Sequence, residues 1–188
     1  MSLEEKVEAV EAVFAKLDAE IQTFQQWSSL HCNAGCGKCC FKADIEASVL
    51  EFLPFAHHLF LQDKAFEWYE NLKKSTSPIC LILDPLKSGA GLCSQYTYRG
   101  MICRLFGYSA RTNKYGKKEL VTCQIIKTEQ ADAVALVGAK IETEAVPVMN
   151  QYYMQLHAID PDLAQDFFPV NEAIKRAIEF ILHYYAYR

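Results

Sequence analysis

Several things are missing from this chain, and each absence narrows the reading. No run of about 18 apolar residues occurs, so no membrane-spanning helix is expected. Basic charge is not in excess: Lys and Arg total 19 against 23 Asp and Glu, for a net charge of −4. That balance removes any global electrostatic case for nucleic acid. The first residues, Met1 to Lys6, have no apolar stretch, so no secretory leader is expected. Glycine-rich nucleotide fingerprints, internal repeats and low-complexity tracts are all absent. No nucleophile–base constellation is legible either. Glu46, Glu51 and Asp84 have no spacing that singles them out, so no reaction is read from the sequence.

What is present is enough apolar material for a core, 51% of 188 residues with 22% charged, which excludes disorder and collagen-like chains. The distinctive feature is a group of 8 cysteines: Cys32, Cys36, Cys39, Cys40, Cys80, Cys93, Cys103 and Cys123. None lies in residues 1–31 or 124–188. Thiols confined to one window point to a shared task there.

Disulfides, free core thiols and metal ligation compete for that task. Disulfide-dense scaffolds are short, secreted and poor in core, unlike this chain. An isolated cysteine is an ordinary small core residue, which would suit Cys80, Cys93, Cys103 or Cys123 taken singly. The run Cys32-Asn33-Ala34-Gly35-Cys36-Gly37-Lys38-Cys39-Cys40 does not fit that reading. Its C-x2-C spacing lets the chain turn around an ion with both sulfurs about 2.3 Å from it. Gly35 and Gly37 ease the backbone through the turn, whose amides can face thiolates. Vicinal side chains tend to diverge, so Cys39 and Cys40 are not expected to share one tetrahedral ion comfortably. One could belong to a second site, bridge two metals or stand as a spare thiol. Eight thiols make two complete four-thiolate sets, or one set with four thiols in support.

All-thiolate ligation favours zinc or iron–sulfur over magnesium or calcium. His31, beside Cys32, could substitute as a ligand, although a surface role suffices for it. Zinc closed by four thiolates is structural, whereas a cluster could transfer electrons. The spacing matches neither ferredoxin pattern.

The residues Cys36, Cys39 and Cys40 in C-x-x-C-C, followed by Cys80, then Cys93, Tyr96, Arg99, Cys103, Arg104 and Phe106, then Cys123, resemble the YkgJ-type cysteine-cluster family. That family's second motif runs roughly C-x-x-Y-x-x-R-P-x-x-C-R-x-F, and Gly100 stands here in place of its proline. The resemblance spans about residues 32–123. It implies a zinc- or iron-chelating domain, and members are often labelled iron–sulfur proteins.

Arg99, Arg104, Arg111, Lys114, Lys117 and Lys118 lie in an acid-free part of the cysteine window, interleaved with tyrosines. Such a stretch can bind single strands or anions. A zinc ion held by four thiolates carries about −2, so cations nearby offset that charge. Arg99 and Arg104 are therefore expected to support the cysteines from just outside the ligand set. Lys114, Lys117 and Lys118 are read as a solvated hairpin tip.

The fold class expected is mainly α: a single domain, a helical bundle carrying an irregular cysteine-rich metal-binding insert and few short strands. Residues 1–31 hold one long helix, 32–123 the cysteine cluster and 124–188 a helical region. Leu3, Val7, Val10, Phe14, Leu17, Ile21 and Phe24 repeat every 4 and 3 residues, a heptad seam behind a Ser2/Glu5 capping box. The seam packs within the chain or, alternatively, forms a homodimer. Residues 44–72 read as helix capped by Asp44 and kinked at Pro54. Turns are expected at Asp84-Pro85 and over Ser88-Gly89-Ala90-Gly91, and strands over 105–109 and 120–124, joined through Asn113-Lys114-Tyr115-Gly116. Asp160-Pro161 starts a further helix, and Val170 to Tyr185 forms the last. The function expected is a cytoplasmic metal-binding protein with one or two all-cysteine zinc sites. The alternatives are iron, including an iron–sulfur enzyme or electron-transfer protein, and a metal-delivery protein.

Overall fold

Ser2 and Glu5 open the first helix as the capping box requires. The Ser2 amide donates to Glu5 Oε2 at 2.7 Å, and the Glu5 amide donates to Ser2 Oγ at 3.1 Å. The computed structural model describes residues 1–33, 35–84 and 92–187. In chain order the elements are α1 (Leu3–Ser28), β1 (Glu46–Ser48), α2 (Leu53–Leu61), α3 (Ala65–Lys74), β2 (Leu83–Asp84), β3 (Leu92–Cys93), α4 (Met101–Leu105), β4 (Ser109–Thr112) and β5 (Lys118–Val121). They continue with α5 (Gln124–Glu129), α6 (Ala131–Lys140), α7 (Met149–Ile159), α8 (Pro161–Ala164), β6 (Phe167–Pro169) and α9 (Val170–Ala186). Short 3-10 turns lie at Lys38–Phe41, Leu50–Phe52 and Tyr96–Tyr98. The fold is mainly α with few short strands.

The chain forms two compact units. One comprises Met1–Glu11, Gly35–Gly100 and Leu156–Arg188, and the other Ala12–Ala34 and Met101–Gln155. All seven seam residues of α1, from Leu3 to Phe24, are buried by the chain's own residues.

In the first unit α9 packs against α2 and α3. Phe52, Leu53, Phe55, Ala56, Ile174, Ala177, Ile178 and Ile181 are among its fully buried side chains. Each large aliphatic or aromatic group buried this way contributes about 1.5–3 kcal/mol. β1 pairs antiparallel with β6, Ala47 opposite Phe168, which ties the segment after the cysteine run to the entry of α9. Lys6 Nζ meets Asp160 Oδ2 at 2.6 Å. Asp160 also caps α8 by accepting the Leu163 amide at 3.1 Å, with Pro161 in the first turn.

The helical expectation for residues 44–72 needs correction. Asp44 caps nothing helical; β1 intervenes and helix begins only past Val49. Pro54 sits in the first turn of α2, where its missing amide hydrogen costs no bond. The break falls instead at Asp63, whose φ of 56° is left-handed and stops α2 before α3.

In the second unit Phe24, Leu30, Ala110, Ile126, Val137 and Ile141 form the core, with Trp27 and Tyr108 packed against it. The strands there are Ser109–Thr112 and Lys118–Val121, displaced from the expected 105–109 and 120–124. Residues 101–105 form α4 instead, burying Met101 and Leu105 on one face. The turn forms as expected: Gly116 takes φ 77° and Asn113 Oδ1 accepts the Tyr115 and Lys117 amides. The expected turn over Pro85 and residues 88–91 lies outside the described residues.

Candidate metal centre

The first cysteine run is shaped by its glycines. Gly35 and Gly37 take φ of 69° and 52°, the left-handed region that a side chain resists. Gly37 thereby turns the chain into the 3-10 turn Lys38–Phe41, closed by the Cys40 amide donating to the Gly37 carbonyl at 2.9 Å. Cys36 and Cys40 are half-buried and Cys39 is exposed. The sulfurs of Cys39 and Cys40 lie 4.0 Å apart. Two arms of 2.3 Å at a tetrahedral angle set sulfurs about 3.8 Å apart. The vicinal pair therefore does not diverge as expected: the two sulfurs lie at a separation that one ion could span.

A second loop meets this run. The Cys80 amide donates to the Cys40 carbonyl at 3.3 Å. Cys80 is buried and precedes β2, whose Leu83 stands opposite Cys93 in β3. The hairpin is held further by the Ser94 amide and hydroxyl, which donate to the Ile82 carbonyl at 2.9 and 2.8 Å.

Backbone amides favour the charged form of these thiols: those of Ile82 and Leu83 at Cys80, that of Gln95 at Cys93, and those of Cys39 and Cys40 at Cys39. Cys39, Cys80 and Cys93 are close enough to feel one another's charge. The hydrogen bond from the Cys40 thiol, aided by the amides and by Arg99, brings Cys39 down to about 6 against the opposing effect of partial desolvation by surrounding atoms, although the residue reaches the surface. At Cys80 burial prevails over the two amides and pushes the thiol up to about 11. Burial also raises Cys93, against the Gln95 amide and Arg99. Arg99 thus acts on both Cys39 and Cys93. Its Nε donates to the Tyr96 carbonyl at 3.1 Å, and its guanidinium stacks 3.5 Å from the Tyr96 ring centre.

Cys32, Cys103 and Cys123 fall in the second unit. The Cys32 amide donates to Tyr108 Oη at 2.6 Å. Cys103 sits in α4 and is half-buried. Cys123 caps α5, its sulfur accepting the Ile126 amide at 3.4 Å. Arg104, in α4 beside Cys103, is buried, ion-paired with Asp18 and stacked 4.6 Å from the Phe14 ring centre. His31 is exposed, its amide donating to Gln130 Oε1 and its Nδ1 lying 3.2 Å from the Ser29 carbonyl.

The structure thus places five of the eight sequence-predicted ligands in one unit and three in the other. None of the eight is disulfide-bonded. Among the described residues no three Cys, His, Asp or Glu side chains stand together in chelating geometry. The chemistry of the donor set nevertheless fits a thiophilic ion: soft sulfurs on two joined segments, with the Arg99 charge acting on Cys39 and Cys93. Sequence reasoning missed Asn171, the second residue of α9, whose side chain bonds the backbone around Cys80. A lone asparagine at a helix start, 91 positions after the cysteine whose neighbours it bonds, carries no sequence signal.

A family model described as "CxxCxxCC: Putative zinc- or iron-chelating domain" matches residues 31–124. No match is found among curated proteins or among solved structures. No described helix is long and apolar enough to cross a membrane.

Proposed function

The chain belongs to this cysteine-cluster family of zinc- or iron-chelating domains, and from that premise we propose that it is a zinc-binding protein whose main site is all-cysteine. The thiols of the first unit, Cys36, Cys39, Cys40, Cys80 and Cys93, supply that site. Cys32, Cys103 and Cys123 are the candidates for a second.

The observation that carries the reading is the meeting of two cysteine segments within the first unit: the Cys80 amide donates to the Cys40 carbonyl at 3.3 Å, and the sulfurs of Cys39 and Cys40 lie 4.0 Å apart. Burial disfavours the charged form of Cys80 and Cys93. A bound cation supplies the missing positive charge and deprotonates the thiols that hold it. The chain's own part is to carry two thiols on a hairpin and three on a glycine-shaped loop. The Cys80 amide–Cys40 carbonyl bond joins them. Arg99 offsets the accumulating negative charge. Such a site serves structure or regulation, in a reducing compartment such as the cytoplasm, where thiols stay available.

Elemental analysis of protein purified without oxygen tests the proposal. A colourless preparation holding zinc, with the metal lost in Cys80→Ser and Cys93→Ser, supports it. A brown preparation with labile sulfide overturns the choice of zinc. Full metal content in both variants overturns the site.

A further inference from the structure

We infer that Asn171 is a positioning residue for Cys80: its side-chain amide clamps the Ser77–Leu81 backbone and thereby fixes where the Cys80 sulfur sits. The inference rests on the reading of Cys80 as a ligand. It goes beyond that reading by assigning a role to a residue outside the matched segment 31–124.

The chain between α3, which ends at Lys74, and β2, which starts at Leu83, has no regular structure of its own. Short-range bonds within it include the Ser77 amide to Ser75 Oγ at 3.3 Å and the Ile79 amide to Ser77 Oγ at 3.2 Å. Pro78 has no amide hydrogen to offer. Asn171 supplies a long-range restraint in addition to the Cys80 amide–Cys40 carbonyl bond. Its Nδ2 donates to the carbonyls of Ser77 at 3.1 Å and Ile79 at 2.8 Å, and its Oδ1 accepts the Leu81 amide at 2.8 Å. An amide side chain is the one neutral group with two donors and an acceptor in a fixed plane. Here all three are used on one short segment that straddles Cys80.

The consequence reaches the sulfur. The Leu81 amide is held by Asn171, and the Leu83 amide donates to the Cys80 carbonyl at 3.1 Å, so the backbone on the C-terminal side of Cys80 is fixed by these two bonds. Releasing the first would free the segment to rotate and carry the Cys80 side chain with it. Asn171 is itself well anchored. It follows Val170, whose amide donates to the Ile45 carbonyl at 3.0 Å, and it opens a helix whose Ala173 and Ile174 are fully buried. Outer groups that orient a metal ligand typically change metal affinity by about 10–100-fold when removed.

The test uses the full chain and cobalt(II) as the probe, reading the sulfur-to-cobalt absorption band in competition with a chelator. Asn171→Ala and the similarly sized Asn171→Leu are each expected to weaken cobalt binding by about 10–100-fold. Tyr185→Phe is the control, because it removes a bond from the same helix, Tyr185 Oη to Glu4 at 2.9 Å, away from the Cys80 segment. It should leave the affinity unchanged. In metal-free protein, Asn171→Ala should also raise the alkylation rate of Cys80 severalfold, read by mass spectrometry. Cobalt affinity within about twofold of the parent in both Asn171 variants overturns the inference. So does equal weakening by Tyr185→Phe, or an unchanged alkylation rate. Cys80→Ser separates the two layers. If it leaves the band intact, the reading of Cys80 as a ligand fails. If it diminishes the band while both Asn171 variants bind normally, only the role of Asn171 fails.

Discussion

The amide of Cys80 donates to the carbonyl of Cys40 across 3.3 Å, joining two cysteine segments separated by 40 positions. This bond makes the glycine-shaped loop and the β2–β3 hairpin mechanical neighbours. A metal held by thiols of both would tighten them as one. Hydrogen exchange at the Cys40 and Cys80 amides is therefore expected to slow together when zinc is added and to quicken together when a chelator removes it. Protection at one amide without the other would show that the two segments do not share an ion.

Arg99 and Arg104 were expected from sequence to serve the cysteines alike, yet they have different surroundings. Arg99 lies where it acts on Cys39 and Cys93, while Arg104 pairs with Asp18 and covers Phe14. Arg99→Ala is expected to weaken metal retention by about 10–100-fold with little change in the melting of metal-free protein. Asp18→Asn removes the Asp18 carboxylate from the nearly buried Arg104 guanidinium and should cost about 1–2 kcal/mol. That is below the usual penalty for a broken buried pair because Asp18 is 43% exposed. Metal titration and denaturant unfolding of the same variants distinguish the two effects.

Gly100 occupies the place of a proline in the resembled motif, and its packing explains why a larger residue does not suit this chain. A Cβ there would meet Phe52 Cζ at 2.9 Å and Glu51 Oε2 at 3.2 Å. Phe52 and Glu51 are both 1% exposed and have nowhere to retreat. Gly100→Ala should therefore destabilise the protein by about 1–3 kcal/mol, measured by denaturant unfolding. An unchanged midpoint would mean that the Phe52 ring can shift.

Acid sensitivity is expected from Asp160. Burial pushes its carboxyl up, but the Lys6 ammonium together with the Leu163 and Asp162 amides outweighs burial and holds it below the usual carboxylate range. A carboxyl depressed on folding contributes its full stabilisation above the unfolded value, near 3.9. That contribution is lost as pH falls through the folded value. Lys6→Met should lower stability at neutral pH and flatten the decline below about pH 4. A decline of the same steepness in Lys6→Met would assign the acid limb to other carboxyls.

The sequence by itself determined the helical frame and the chemistry of the site. A 4-and-3 seam buries one side of α1, Ser2 and Glu5 cap it, and Asp160-Pro161 starts α8, because periodicity and end chemistry are local properties. The C-x2-C-C run, with glycines at the two left-handed positions, likewise marks the segment of a zinc- or iron-chelating domain from its own spacing. Tertiary structure decided what depends on distant partners. β1 replaced the start of a helix because Ala47 finds Phe168 more than a hundred positions later. The sulfurs of Cys39 and Cys40 came to 4.0 Å against the tendency of neighbouring side chains to diverge. The eight thiols divided five and three between two units, Arg104 joined Asp18, and Asn171 took hold of the Cys80 segment. None of these pairings leaves a local trace, because a side chain's partner is fixed by how the elements pack and not by its neighbours in sequence.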